Sequence, residues 1–197
     1  MEFDNSFDVP LPPAQAWAVL LDVPRIAPCM PGAELTEIVD RQNYKGRISV
    51  RLGPVALAFA GRVAFDQIDP ANRTARVKAQ GSDAKGRGGA NATATFRVES
   101  NGAGAKVLIH TELMLSGAVA QYGRGVGMIE ATAAQIVGQF ADNLRTQLAQ
   151  QQRDAAVVTQ TSPPLAPDAK PISGLSLLLR VIWSKLAALF SGRRDRL

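Results

Sequence analysis

Residues 105–150 read AKVLIHTELMLSGAVAQYGRGVGMIEATAAQIVGQFADNLRTQLAQ, and the apolar pattern of this segment changes its period midway. Up to Leu115 the apolar residues fall at alternate positions, which is typical of a half-buried strand. Further on they recur every three or four residues, as on one face of an amphipathic helix. The helical positions are Val126, Ile129, Ala133, Ile136, Phe140, Leu144 and Leu148. The sequence therefore predicts a strand followed by one long helix, roughly from Ala118 to Gln152.

The chain before this stretch also alternates over most of its length. Residues 2–9 are predicted to form a strand, Pro13 opens a helix that ends near Leu21, and a second short helix precedes Pro28. Between residues 33 and 117, alternating runs are separated by turn-forming stretches rich in Gly, Asn and Asp. Strands in series with few helices indicate an α+β fold and not a βαβ array. We expect a seven-stranded antiparallel sheet with the long helix against it.

The positive net charge of the chain comes from its carboxyl-terminal residues. The net charge is +5, and residues 170–197 account for all of it with six Lys or Arg against Asp195. The neutral body argues against nucleic acid as a partner. The single cysteine, Cys29, and the single histidine, His110, exclude a disulfide framework and a Cys/His metal site. The acidic first nine residues are unlike a signal peptide, so we expect a cytoplasmic protein.

The last part of the chain predicts a linker and a membrane-binding helix. Residues 153–171 are rich in Pro, Thr and Ser without apolar periodicity, as in a linker. Residues 172–197 fit a basic amphipathic helix lying on the inner face of the cell membrane. The alternatives are docking on a partner protein and folding back on the body. The candidate membrane-binding residues are Leu175, Leu178, Leu179, Arg180, Ile182, Trp183, Lys185, Leu186, Leu189, Phe190, Arg193 and Arg194.

Several short motifs, in a specific order and spacing, resemble one protein family. These motifs are Ala16-Trp17, Leu21-Asp22-Val23-Pro24, Cys29-Met30-Pro31-Gly32-Ala33, Tyr44-Lys45-Gly46, Leu52-Gly53-Pro54-Val55, Phe59-Ala60-Gly61, residues 81–88, residues 120–124 and residues 139–144. Residues 1–150 thereby resemble CoxG, the G subunit of carbon monoxide dehydrogenase, within the START-like or SRPBCC superfamily. The resemblance implies a helix-grip domain over residues 1–152. It also implies a membrane-associated accessory protein of molybdenum hydroxylases, with a pocket for a quinone-like lipid such as menaquinone or ubiquinone.

A cavity between sheet and helix is the expected binding site, and a solid core is the alternative. Small residues would enlarge the space and large apolar residues would wall it. Tyr122 would offer a rigid ring and a hydroxyl suited to a quinone carbonyl. The candidate pocket residues are Leu57, Phe59, Val77, Ala94, Phe96, Tyr122, Val126, Gly127 and Ile129.

Residues with acid–base chemistry mostly fall at solvent positions of this pattern. We expect His110 to point outward and Cys29 to be a small buried hydrophobe. The carboxylates expected in solvent are Glu34, Glu37, Asp66, Asp83 and Glu112. Residues 81–89 are predicted to form a hairpin at the pocket mouth, where Lys85 and Arg87 could meet an acidic partner, a lipid headgroup or only water.

Two functions from different classes follow. One is an accessory protein that holds the lipid, recruits a molybdenum hydroxylase to the membrane and supports electron transfer to the quinone pool. The other is a START-like enzyme, a cyclase or hydrolase acting on an apolar substrate. Because the predicted inward faces carry few polar groups, the first is favoured, with no catalytic residue and no metal.

Overall fold

A computed structural model describes residues 1–124 and 126–160, and the side chains among them except those of residues 123–126 and 155–160. Residues Met1–Ala155 form one compact unit. The elements in chain order are β1 (Glu2–Val9), α1 (Pro13–Leu21), α2 (Val23–Ile26), a 3-10 turn (Ala27–Cys29), β2 (Ala33–Ile38), β3 (Asn43–Leu52), β4 (Val55–Asp69), β5 (Thr74–Asp83), β6 (Gly88–Asn101), β7 (Gly104–Gly117), a 3-10 segment (Ala118–Arg124) and α3 (Val126–Gln160).

The seven strands form one antiparallel sheet, as the sequence predicts. Their order in the sheet is β1-β7-β6-β5-β4-β3-β2. Consecutive strands from β2 to β7 are neighbours, and β1 joins the far edge by pairing with β7. Since side chains alternate across a strand, one set of positions faces α1 and α3 and the other faces outward. The α+β helix-grip architecture is therefore confirmed.

A row of glycines crosses the inward face of this sheet. Gly46 of β3 pairs with Gly61 of β4, which in turn pairs with Gly81 of β5. A Cβ atom on Gly61 would lie 1.9 Å from the backbone oxygen of Gln80. Glycine in a strand interior permits such a close approach of a neighbouring strand. The row lets the strands approach closely and leaves a strip of bare backbone on the inward face.

Polar side chains fasten the carboxyl-terminal half of α3 to the rest of the fold. The amide of Asn143 donates to the carbonyl of Cys29 at 2.9 Å, and that of Gln147 donates to the carbonyl of Arg25 at 3.1 Å. The buried Cys29 thiol donates to Gln147 Oε1 at 2.8 Å, and burial raises the pKa of this thiol. Arg145 donates to the carbonyl of Asp8. These contacts fix the middle of the helix, around residues 143–147, against α2, the following 3-10 turn and the end of β1.

The buried apolar residues form two clusters. The larger one packs α1 and the carboxyl-terminal half of α3 on the sheet, with Trp17, Phe140 and Leu144 among its members. The smaller one consists of Leu52, Leu57, Val119 and Ile129, at the end of the sheet near the 3-10 segment and the start of α3. The space between these two clusters contains the site described below.

The bounds of the long helix differ from the prediction. Residues 118–124 form a 3-10 segment, and α3 begins only at Val126, because glycines at 123, 125 and 127 disfavour a regular α-helix there. At the other end α3 continues to Gln160, so the first part of the predicted linker 153–171 is helical. The rest of that linker and the predicted helix 172–197 lie outside the described residues. None of the described helices is both long and apolar enough to cross a lipid bilayer.

Candidate functional site

A cavity of about 590 Å³ lies between the inward face of the sheet and α3. Its wall is predominantly apolar and includes members of both core clusters. The helix contributes one stripe, which is Ile129, Thr132, Ala133, Ile136, Val137 and Phe140. Each of these positions has another member of the set three or four residues away, so they share one face of α3. Pockets for small ligands commonly have volumes of roughly 300–1,000 Å³, so this cavity is large enough for one.

Five of the nine predicted pocket residues lie on the cavity wall. They are Leu57, Phe59, Val77, Phe96 and Ile129. Strand alternation explains the first four, because β4, β5 and β6 direct these side chains to the inward face. The bare strip of Gly46, Gly61 and Gly81 belongs to the same wall.

Three of the other predicted residues lie off the wall. Ala94 shares the inward face and lies in register between the larger residues Val77 and Thr111. Its short side chain does not reach the cavity. Tyr122 packs against the smaller core cluster and lies outside the cavity wall. Gly127 is exposed, since two residues along a helix from the cavity-facing Ile129 is nearly the opposite side. The side chain of Val126 is outside the described set.

Sequence reasoning overlooked two polar residues on the cavity wall, Asn5 of β1 and Thr111 of β7. Asn5 stands between Phe3 and Phe7, and Thr111 stands between Ile109 and Leu113, at positions where alternation predicts an apolar side chain. A polar residue at an apolar position of such a pattern was the signal that could have found them.

The hairpin after β5 is built around a buried carboxylate. Arg87 donates to Asp83 through Nε and Nη2, both at 2.8 Å, and the Asp83 side chain has no exposure to solvent. The backbone amide of Lys85 also donates to this carboxylate, at 3.0 Å. The hydrogen bonds from Arg87 hold the pKa of Asp83 well below its usual range. The expectation that Asp83 is solvated is therefore wrong.

Arg87 is likewise engaged inside the fold and not at a hairpin tip. Its Nη2 donates to the carbonyl of Ala56 at 3.1 Å, and its own carbonyl accepts from the amide of Val119 at 3.1 Å. The residue thus joins three segments: the β5–β6 turn, the start of β4 and the 3-10 segment before α3. Asp83 lies opposite Phe59 of the cavity wall in the register of β4 and β5. The ion pair of Asp83 and Arg87 therefore fixes one end of the site.

Replacing Asp83 with Asn is expected to lower the urea midpoint at pH 7, because it removes a charge-assisted pair from a buried position. The pKa of Asp83 is depressed in the folded state, so its stabilisation is present above the ordinary value of about 3.9 and declines below it. The gap between the wild type and Asp83→Asn should therefore be widest near neutral pH and narrow below about pH 4. Asp66→Asn, at the exposed pair with Lys78, is the matched control and should change the midpoint little. A gap that stays constant down to pH 3 would contradict this account.

The other candidate acid–base residues are on the outside of the sheet. His110 points outward as expected, and its Nδ1 lies 2.8 Å from Asp4 Oδ1. This hydrogen bond raises the pKa of His110. Glu37 and Asp66 pair with Lys45 and Lys78 on exposed surface. Groups with three or more potential metal-ligating side chains are absent from the part of the chain that the structure describes.

Solved structures with the same architecture are numerous. A conserved protein from Geobacillus kaustophilus aligns with a TM-score of 0.66 and 17% identity, covering 76% of this chain and 96% of its own. The Zhui aromatase/cyclase from Streptomyces sp. R1128 aligns with a TM-score of 0.56 and 17% identity, covering 79% and 97%. At such identities the likeness concerns the fold, which is that of START-like or SRPBCC proteins.

Sequence comparison identifies the family more narrowly than the fold does. No curated protein matches the chain. The family model for CoxG, the G subunit of carbon monoxide dehydrogenase, matches residues 6–149, which include the last four residues of β1, all of β2 to β7 and the cavity-facing half of α3. The match also includes Thr111 and the pair formed by Asp83 and Arg87. With most of its length matched, the chain belongs to the CoxG family of carbon monoxide dehydrogenase G subunits.

Proposed function

We propose that this chain holds a quinone-like lipid in its cavity and recruits a molybdenum hydroxylase of the carbon monoxide dehydrogenase type to the membrane, supporting electron transfer to the quinone pool. CoxG is a family of accessory subunits, and family and fold together suggest an accessory protein that binds a hydrophobic ligand. The observation that carries the proposal is the apolar cavity of about 590 Å³ between sheet and helix.

The shape of the wall suits a flat or extended apolar part of a ligand. No side chain projects from Gly46, Gly61 or Gly81, so this part of the sheet side is a broad, even strip. Aliphatic and small residues of α3 cover it from the other side, among them Ile129 and Ile136. A flat or extended apolar part of a ligand fits between two such surfaces, and the rest of the ligand would follow the remainder of the cavity.

The cyclase or hydrolase function is the second candidate, since an aromatase/cyclase shares the fold. Catalysis by such an enzyme would need polar groups that converge on a substrate. Among the described side chains, the carboxylate of Asp83 near the cavity is already bound by Arg87, and the polar side chains on the inward wall are few. We therefore favour binding over catalysis, and substrate turnover by the isolated chain would reverse this preference.

Organic extraction tests the ligand directly. We expect full-length protein, purified without detergent, to yield a quinone or a similar prenyl lipid when extracted and analysed by mass spectrometry. Recovery near one lipid per chain would support the proposal. Recovery of common phospholipids alone, in proportion to the membrane, would contradict it.

Recruitment to the membrane is proposed from the sequence of residues 172–197. In a spanning orientation Arg180 and Lys185 would lie near the bilayer centre at about 2.5–3.5 kcal/mol each, whereas an interfacial helix lets them reach the headgroups. We expect full-length protein to float with vesicles containing anionic lipid, to float less in high salt, and not to float when truncated after Ala169. Equal flotation of the truncated chain would show that residues 170–197 are not the anchor.

The hydroxylase partner is tested by co-purification. Tagged full-length protein is expected to retain the hydroxylase on a resin, and the form truncated after Ala169 should retain it equally, if the tail serves the membrane. Loss of the hydroxylase on truncation would instead assign residues 170–197 to partner binding.

A further inference from the structure

Asn5 and Thr111 lie close together on the inward face, on the two strands at one edge of the sheet. The register of β1 and β7 pairs Phe3 with Thr111 and Asn5 with Ile109. Asn5 and Thr111 are therefore diagonal neighbours, at a spacing of about 7–8 Å. Both residues belong to the cavity wall.

The two polar side chains separate the two apolar clusters along these strands. On β1, Phe3 packs with the smaller cluster and Phe7 belongs to the larger one, with Asn5 between them. On β7, Leu113 packs with the smaller cluster and Ile109 with the larger one, with Thr111 between them. The pair thus lies between the two clusters along β1 and β7, with apolar surface on both sides.

Within the described part of the chain, no hydrogen bond engages the Asn5 amide or the Thr111 hydroxyl, and no buried polar side-chain atom lacks a partner. Their polar atoms consequently border open space. Both side chains are partly buried in a cavity whose wall is otherwise mostly apolar. A polar group whose water is displaced and not replaced by another partner costs binding free energy. A purely apolar occupant at this level would impose that cost twice.

We propose that Asn5 and Thr111 form the polar recognition position of the cavity, binding the oxygen-bearing group of an otherwise apolar ligand. This inference rests on the proposed function of the same cavity. An amide and a hydroxyl can each both donate and accept a hydrogen bond. The pair can therefore donate to a carbonyl oxygen and accept from a hydroxyl. It recognises the oxidised and the reduced form of a quinone-like ligand with similar affinity, which suits a protein that must hold both forms.

Titration of the full-length protein with two probes tests the inference. Decylubiquinone carries ring oxygens, and decylbenzene carries the same alkyl chain on a ring without them. We expect wild type to bind decylubiquinone more tightly, and Asn5→Leu and Thr111→Val each to weaken it by about 3- to 10-fold. The same two variants should each bind reduced decylubiquinol about 3- to 10-fold more weakly than wild type does. Decylbenzene should bind Asn5→Leu and Thr111→Val more tightly than wild type, because these variants lack the polar atoms that this probe leaves without a partner. Thr111→Ser should keep the wild-type affinity for decylubiquinone.

Matched control variants lie on the outward face of β6. Asn91→Leu and Thr93→Val make the same chemical changes at positions that alternate away from the cavity, and should leave both probes unaffected. If the cavity variants bind decylubiquinone like wild type, the inference fails while the proposed function stands. If wild type binds neither probe, both fail. Circular dichroism and urea midpoints establish that each variant is folded.

Discussion

Gly61→Ala is expected to lower the free energy of unfolding by more than about 3 kcal/mol, or to prevent folding altogether. The added Cβ atom would lie 1.9 Å from the oxygen of Gln80 and 2.6 Å from the Cα of Gly81. Both obstacles are backbone atoms of the neighbouring strand, so relief requires the sheet itself to shift. The whole stability of a domain is about 5–15 kcal/mol, so such a loss is severe. Urea unfolding followed by circular dichroism measures it.

A helical glycine provides the control. A Cβ on Gly138 of α3 meets no other heavy atom within 4 Å. In a helix interior alanine is more stabilising than glycine by about 0.5–1 kcal/mol, so Gly138→Ala should raise the urea midpoint. A midpoint for Gly61→Ala within error of wild type would contradict the close approach of β4 and β5.

Ala92→Phe is expected to weaken the binding of decylubiquinone by more than about 100-fold while the protein remains folded. Ala92 lies on the cavity wall, in register with Ala79 on one side and Leu113 on the other. The phenyl ring would occupy space that the ligand needs, and it enters a cavity instead of a packed core, so the overpacking penalty of about 1–3 kcal/mol is largely avoided. Titration calorimetry on the full-length chain measures the effect.

Ala60→Phe is the matched variant, since Ala60 is exposed on the outward face of β4. It makes the same change in the same sheet and should leave the affinity unchanged. If the two variants bind decylubiquinone alike, the probe occupies some other site and the cavity is not the binding site.

The sheet could be predicted from sequence because alternation is a local signal. Each run from Tyr44 to Leu115 carries its own period of two, and the antiparallel order follows from short connections. The cavity wall was harder to predict, because alternation says which residues face inward but not which of them reach open space. Ala94 shows the difference, since it faces inward between larger neighbours.

The remaining errors have physical causes beyond a local pattern. The pairing of Asp83 with Arg87 depends on a tight turn between them, in which Gly86 has a φ of +70°. Asn5 and Thr111 are 106 positions apart in the chain, and only the pairing of β1 with β7 brings them together. Tyr122 was predicted to line the cavity but lies outside it, because the chain leaves β7 in a 3-10 segment and does not enter the helix directly.

One part of α3 fastens the helix to the fold, and another part faces the cavity. The side chains that fasten the helix, including Asn143 and Gln147, come after Phe140, while those that face the cavity come before Ala141. On the opposite side of the cavity, part of the wall is bare backbone and offers nothing to mutate without disturbing the sheet. Changes of ligand preference should therefore accumulate in the first half of α3, where substitutions alter the fit and leave the fastening intact. Related proteins can therefore come to bind different ligands through substitutions there, while the fold stays the same.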